Sequence, residues 1–70
     1  MRTIEGEHLG QRTRIREYRP QGNGPTRFLW DVGERATTGS IMDPGYGGNV
    51  RTLKRATAAS RAGARRLAGG

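Results

Sequence analysis

The stretch DPGYGGNVRTLKR, Asp43 to Arg55, decides how the rest of the chain is read. Its proline, glycines and asparagine, followed by a basic helical pattern, look like a loop that opens into a helix. On that reading Asn49 is the N-cap, and the sheet must come from what lies before Asp43. The stretch also raises phosphate binding, because a helix N-terminus attracts anions through its free N–H groups and its dipole. A Walker loop, however, ends in Gly-Lys-Ser/Thr, where this chain has Gly48, Asn49 and Val50. A Rossmann unit needs a parallel βαβ and a much longer chain. The stretch is therefore expected to be a hinge and cap, with at most a backbone-phosphate contact from the Gly47–Asn49 amides and Arg51.

Downstream, NVRTLKRATAASRAGARRLA is a convincing helix that stops at the final glycines. At ~100° per residue, Leu53, Ala56, Thr57, Ser60, Gly63, Ala64 and Leu67 gather on one side. Arg51, Lys54, Arg55, Arg61, Arg65 and Arg66 gather on the opposite arc. The apolar side consists mostly of small residues, which lets the helix backbone lie close to a sheet.

Upstream, Leu9 to Arg19 alternates with a period of two: Arg12, Arg14, Arg16 and Tyr18 against Gln11, Thr13, Ile15 and Glu17. PQGNGP, Pro20 to Pro25, is a loop. TRFLWDV follows as the best strand, with Phe28, Trp30 and Val32 on one face and Arg27, Leu29 and Asp31 on the other. After GER at 33–35, ATTGSIM (Ala36 to Met42) reads as a third, weaker strand with Gly39 at its centre. The expected fold is α+β: a small three-stranded antiparallel sheet followed by one C-terminal helix packed on it, β-β-β-α. Its core would hold Ile15, Phe28, Trp30, Val32, Ile41, Val50 and Leu53. Residues 1–8 are expected to be a flexible N-terminus, 9–68 a single small domain and 69–70 a flexible tail.

In element order over residues 12–67, with the Arg alternation and Trp30, the chain resembles in outline two kinds of DNA-binding domain. These are the sheet-plus-helix domains of ethylene-response transcription factors and the arm-binding domains of some phage integrases. The resemblance implies that strand residues read the major groove; no family signature is matched, and the loop RPQGNGPTR fits neither.

Composition narrows the function. The chain has 70 residues, no cysteine and a net charge of +7. Its apolar residues are few, so it can bury only a modest core. Disulfides and thiolate metal sites are excluded, and no apolar run approaches a membrane span. All six acids (Glu5, Glu7, Glu17, Asp31, Glu34, Asp43) lie in the first 43 residues, and six basic residues follow without one. Such asymmetry points to a polyanionic partner. Catalysis has little to build on: His8 is the single histidine, Ser40 and Ser60 have no identifiable base, and Asp31 and Glu34 are separated by a turn. No enzyme activity, cofactor, metal, membrane or small-molecule substrate is expected.

The expectation is a small basic nucleic-acid-binding protein, DNA before RNA, cytoplasmic, of the kind a bacterium or bacteriophage uses as an accessory factor. Its candidate contacts are Arg12, Arg14 and Arg16 on one strand face, with Arg27, Arg51, Lys54 and Arg55 adding phosphate contacts. Loss of Arg12, Arg14 and Arg16 is then expected to weaken binding more than loss of Arg61, Arg65 and Arg66; the reverse order would move the site to the helix. The alternative partner is an acidic protein surface, within a larger assembly or through self-association. An anionic membrane fits less well, because the helix sets small residues rather than bulky ones opposite its charges.

Overall fold

The computed structural model describes residues 2–19 and 24–69. Four strands and two helices follow one another: β1 (Thr3–His8), β2 (Gln11–Tyr18), β3 (Arg27–Gly33), α1 (Glu34–Thr38), β4 (Gly45–Val50) and α2 (Leu53–Gly69). The strands form one antiparallel sheet in the order β1-β2-β3-β4, and α2 packs across one of its faces. The α+β class and the C-terminal helix are as expected, but the sheet has four strands rather than three. Pro20 to Asn23, most of the expected loop, lie outside the described residues, as do Met1 and Gly70.

Two differences account for the extra strand. Residues 3–8, expected to be a flexible lead-in, pair with β2 through a two-residue turn in which Leu9 (φ 53°) and Gly10 (φ 77°) are both left-handed. This segment offers little apolar signal, since Ile4 is its one large hydrophobic residue. It is held instead by Ile4 opposite Ile15, by Glu5 and Glu7 opposite Arg14 and Arg12, and by Arg2, whose carbonyl accepts a hydrogen bond from the Glu17 amide at 2.8 Å.

The third expected strand is also displaced. Ala36 to Met42 contributes to a short helix and a turn, while the glycine-rich stretch taken for a loop is β4. Arg35 binds this turn together: its Nε donates to the carbonyl of Asp43 (3.3 Å) and its Nη2 to that of Ile41 (2.9 Å). Ile41, expected in the core, is 76% exposed, and Met42 beside it 88%. β4 works as a strand in spite of its glycines because β3 supplies the missing bulk. The Trp30 indole, directly opposite Gly48, lies so close that a Cβ on Gly48 would stand 3.1 Å from Nε1. Gly45 enters the strand at φ 146°, where a Cβ would fall 2.1 Å from the Val32 carbonyl oxygen, so no other residue fits there.

Helix α2 consequently starts later than expected, with Thr52 rather than Asn49 as its cap. The Thr52 hydroxyl accepts the Arg55 amide at 3.1 Å, and its carbonyl accepts that of Ala56 at 3.0 Å. The buried face of α2 is Ala56, Ser60, Gly63 and Ala64. Against it stand Ile15, Phe28 and the fully enclosed Val32, with Trp30, Val50 and Leu53 partly buried around them. Ser60 is satisfied within the helix, its hydroxyl donating to the Thr57 carbonyl at 2.9 Å.

Gly63 sets how closely α2 approaches. A Cβ there would meet Val32 Cγ1 at 2.7 Å, with Trp30 and Tyr46 at 3.4 Å. A Gly→Ala change in a helix interior ordinarily gains about 1 kcal/mol, but overpacking a fixed core costs about 1–3 kcal/mol. Gly63→Ala is therefore expected to lower stability on balance. Gly69→Ala, with nothing within 4 Å of its Cβ, is expected to be neutral or slightly stabilising. Urea unfolding followed by Trp30 fluorescence checks both; equal effects of the two changes would refute close packing at Gly63.

Candidate nucleic-acid interface

Alternation along the strands divides the basic residues between two surfaces. Phe28, Trp30 and Val32 point to α2, so Arg12, Arg14, Arg16 and Arg27 lie on the opposite, open face of the sheet, as the strand pattern predicts. Arg51, Lys54 and Arg55 lie elsewhere, exposed at the start of α2. The seven expected contact residues thus belong to two surfaces rather than one.

The open-face row stands in register with acids of the neighbouring strands, and Arg16 closes an ion pair with one of them. Arg12 stands opposite Glu7. Arg14 stands between Glu5 on β1 and Asp31 on β3. Arg16 reaches the same aspartate, Nη2 to Oδ2 at 3.5 Å. Asp31 is only 9% exposed, so its carboxylate needs these cations.

Arg12 is exposed, but Arg14 and Arg16 are half-buried. The Nε and Nη2 of Arg14 and the Nε of Arg16 are enclosed without a hydrogen-bond partner among the described residues. Gly39, at the end of α1, lies over Arg14 so closely that a Cβ there would come within 2.7 Å of Nη2. A guanidinium in this position cannot reach out to a phosphate without uncovering itself. Arg27 sits half-buried opposite Tyr18. The concavity beside this row, about 350 Å³, is lined by Arg16, Asp31, Arg35, Ile41 and Asn49 among others.

The outer arc of α2 is different in kind. Lys54, Arg55, Arg61, Arg65 and Arg66 are all exposed, and the helix carries no acid. At ~100° per residue, Lys54, Arg61 and Arg65 fall in one row, and Arg55 and Arg66 in a second about 100° away. Each row spans eleven residues, about 16 Å at the helical rise. Exposed Ala58 and Ala62 occupy the strip between them. Arg66 is held over the Tyr46 ring, 5.8 Å from its centroid; among the described residues no carboxylate forms an ion pair with any α2 cation.

Arg61, Arg65 and Arg66 therefore share the exposed arc with Lys54 and Arg55. The signal was present in their helical azimuth. The acids opposite the strand row are harder to see, because Glu5 and Glu7 join it only through β1.

Among the described residues no three His, Asp or Glu side chains come together in a way that could hold a metal ion, and no helix is long and apolar enough to cross a membrane. No protein-family model, curated protein or solved structure matches this chain. The outline resemblance to sheet-plus-helix DNA-binding domains thus gains no structural counterpart.

If Arg16 serves the sheet through its ion pair with Asp31, removing that carboxylate destabilises it. Asp31→Asn, which raises the net positive charge, is expected to cost about 1–3 kcal/mol of stability through the polar groups left unpaired. Thermal and urea unfolding read this directly; a variant as stable as the parent would mean that the row is merely solvated.

Proposed function

We propose that this chain is a small non-enzymatic protein that binds nucleic acid, double-stranded DNA in the first place, through the outer arc of α2. The observation that carries the reading is the row structure of that arc: exposed cations on both flanks of an alanine strip, on a helix without a single acid. An α-helix fits the major groove, which is about 12 Å wide. The alanines let the helix backbone approach, and flexible cationic side chains on each flank reach phosphates on both walls. Arg51, just before the helix, extends the same positive surface.

In this arrangement Lys54 and Arg55 keep the role expected of them, whereas Arg12, Arg14 and Arg16 act mainly within the sheet. On this reading the order of importance expected from sequence is reversed, because Arg14 and Arg16 are half-buried and Arg16 is paired with Asp31. Phosphate contacts of this kind bind without strong sequence preference, so discrimination between sites is expected to be small.

The test is duplex binding by fluorescence anisotropy across a range of salt. Log K should fall linearly with log salt, by about 0.9 for every phosphate neutralised. Replacing Lys54, Arg61 and Arg65 by Gln should weaken binding and flatten that slope by about 2–3. Replacing Arg12 alone should do little. Absence of binding at low salt would overturn the proposal; an acidic protein retained after nuclease treatment of a lysate would then point to the other class of partner.

A further inference from the structure

The two edges of the sheet are built differently. β1, at one edge, carries Glu5 and Glu7, both exposed. Charges of this kind on an edge strand discourage pairing with another chain. β4, at the other edge, reads GYGGNV and has neither a charge nor a proline. Three of its six residues are glycines, so little stands in front of its outward-facing N–H and C=O groups. Among the described residues, no strand pairs with its outer side.

Exposed apolar surface adjoins the same edge. Tyr46 lies on β4 itself, and Ile41 lines a concavity together with Gly47, Gly48 and Asn49. The turn residues Ile41 and Met42 are the most exposed large hydrophobic residues of the described chain, although a chain this poor in apolar residues has few to leave outside its core.

We propose that β4 is a pairing edge and that its occupant is β4 of a second copy, joined antiparallel about a two-fold axis. A second copy is the favoured occupant because an uncharged strand meets itself without like charges in opposition, whereas β1 against β1 would set Glu5 and Glu7 against their own copies. The two-fold also closes. It consumes both β4 edges and leaves outward only the two acid-guarded β1 edges, so growth stops at the dimer. The product is one continuous sheet of eight strands. An axis perpendicular to that sheet keeps both α2 helices on the same face, with their cationic arcs side by side.

This inference does not rest on nucleic-acid binding, and salt separates the two. Each copy carries +7, so screening by salt strengthens self-association, while it weakens attachment to a polyanion.

The experiment is sedimentation velocity of the nucleic-acid-free chain from micromolar to millimolar concentration, at low and high salt. A monomer–dimer equilibrium that tightens with salt is expected. Asn49→Lys, at an exposed position on β4, should weaken it about tenfold at low salt, because it brings a charge from each copy into an otherwise uncharged seam. Thr3→Lys, exposed on β1, should leave it unchanged. Amide exchange in the unaltered chain gives an independent reading, with protection in β4 rising with concentration. A chain that stays monomeric throughout, a dimer that survives Asn49→Lys, or an equal loss in Thr3→Lys would each overturn the proposal.

Discussion

The close approach of α2 to β3 is the constraint on which the rest of this structure depends. The helix brings almost no bulk to the interface: its buried residues are Ala56, Ser60, Gly63 and Ala64. The volume comes from the sheet, chiefly Phe28, Trp30 and Val32, and the helix must lie low enough to meet it. Gly63 against Val32 sets that distance. The same tryptophan covers Gly48 and so turns a glycine-rich segment into the fourth strand. One aromatic side chain thus joins the helix, the central strand and the edge strand, and a chain with few large apolar residues closes a core around it.

The way the core is closed determines where the charge goes. With its small residues committed to the sheet, α2 turns every one of its cations outward. On the other side of the sheet, the alternation that points Phe28, Trp30 and Val32 inward points Arg12, Arg14 and Arg16 away. There Arg12 and Arg14 stand in register with Glu7, Glu5 and Asp31, and Arg16 forms an ion pair with Asp31. The first 43 residues therefore set acids among their cations, and the remainder has none. A guanidinium sharing a buried carboxylate stabilises its own sheet, whereas one facing water opposite no acid is free for a phosphate.

Much of this was legible in the sequence, because periodicity reports burial directly. The alternation in β2 and β3, the split faces of β3, and the small and basic faces of α2 all follow from residue spacing. The failures have a common cause. Glycine carries no periodic signal, so GYGGN reads as a loop unless the Trp30 ring opposite is known to cover it. Thr3–His8 has one large apolar residue and is held by its backbone ladder with β2 and by the Leu9–Gly10 turn, which hydrophobic patterning does not see. Ala36–Met42 has strand-forming residues but is folded into a helical turn by Arg35, whose acceptors are backbone carbonyls. The surroundings of the arginine row were hidden for the same reason as β1: the row is conspicuous in one strand, and the acids opposite it are distributed over two others.

The division of charge between a self-compensated sheet face and an uncompensated helix is the central claim, and amide chemical-shift mapping with a short DNA duplex tests it most directly. The account predicts that shifts on adding duplex concentrate in α2, at Lys54, Arg55, Ala58, Arg61, Ala62 and Arg65, with β2 little changed. Shifts concentrated instead at Arg12, Arg14 and Arg16 would contradict it, since they would show the strand arginines meeting the ligand.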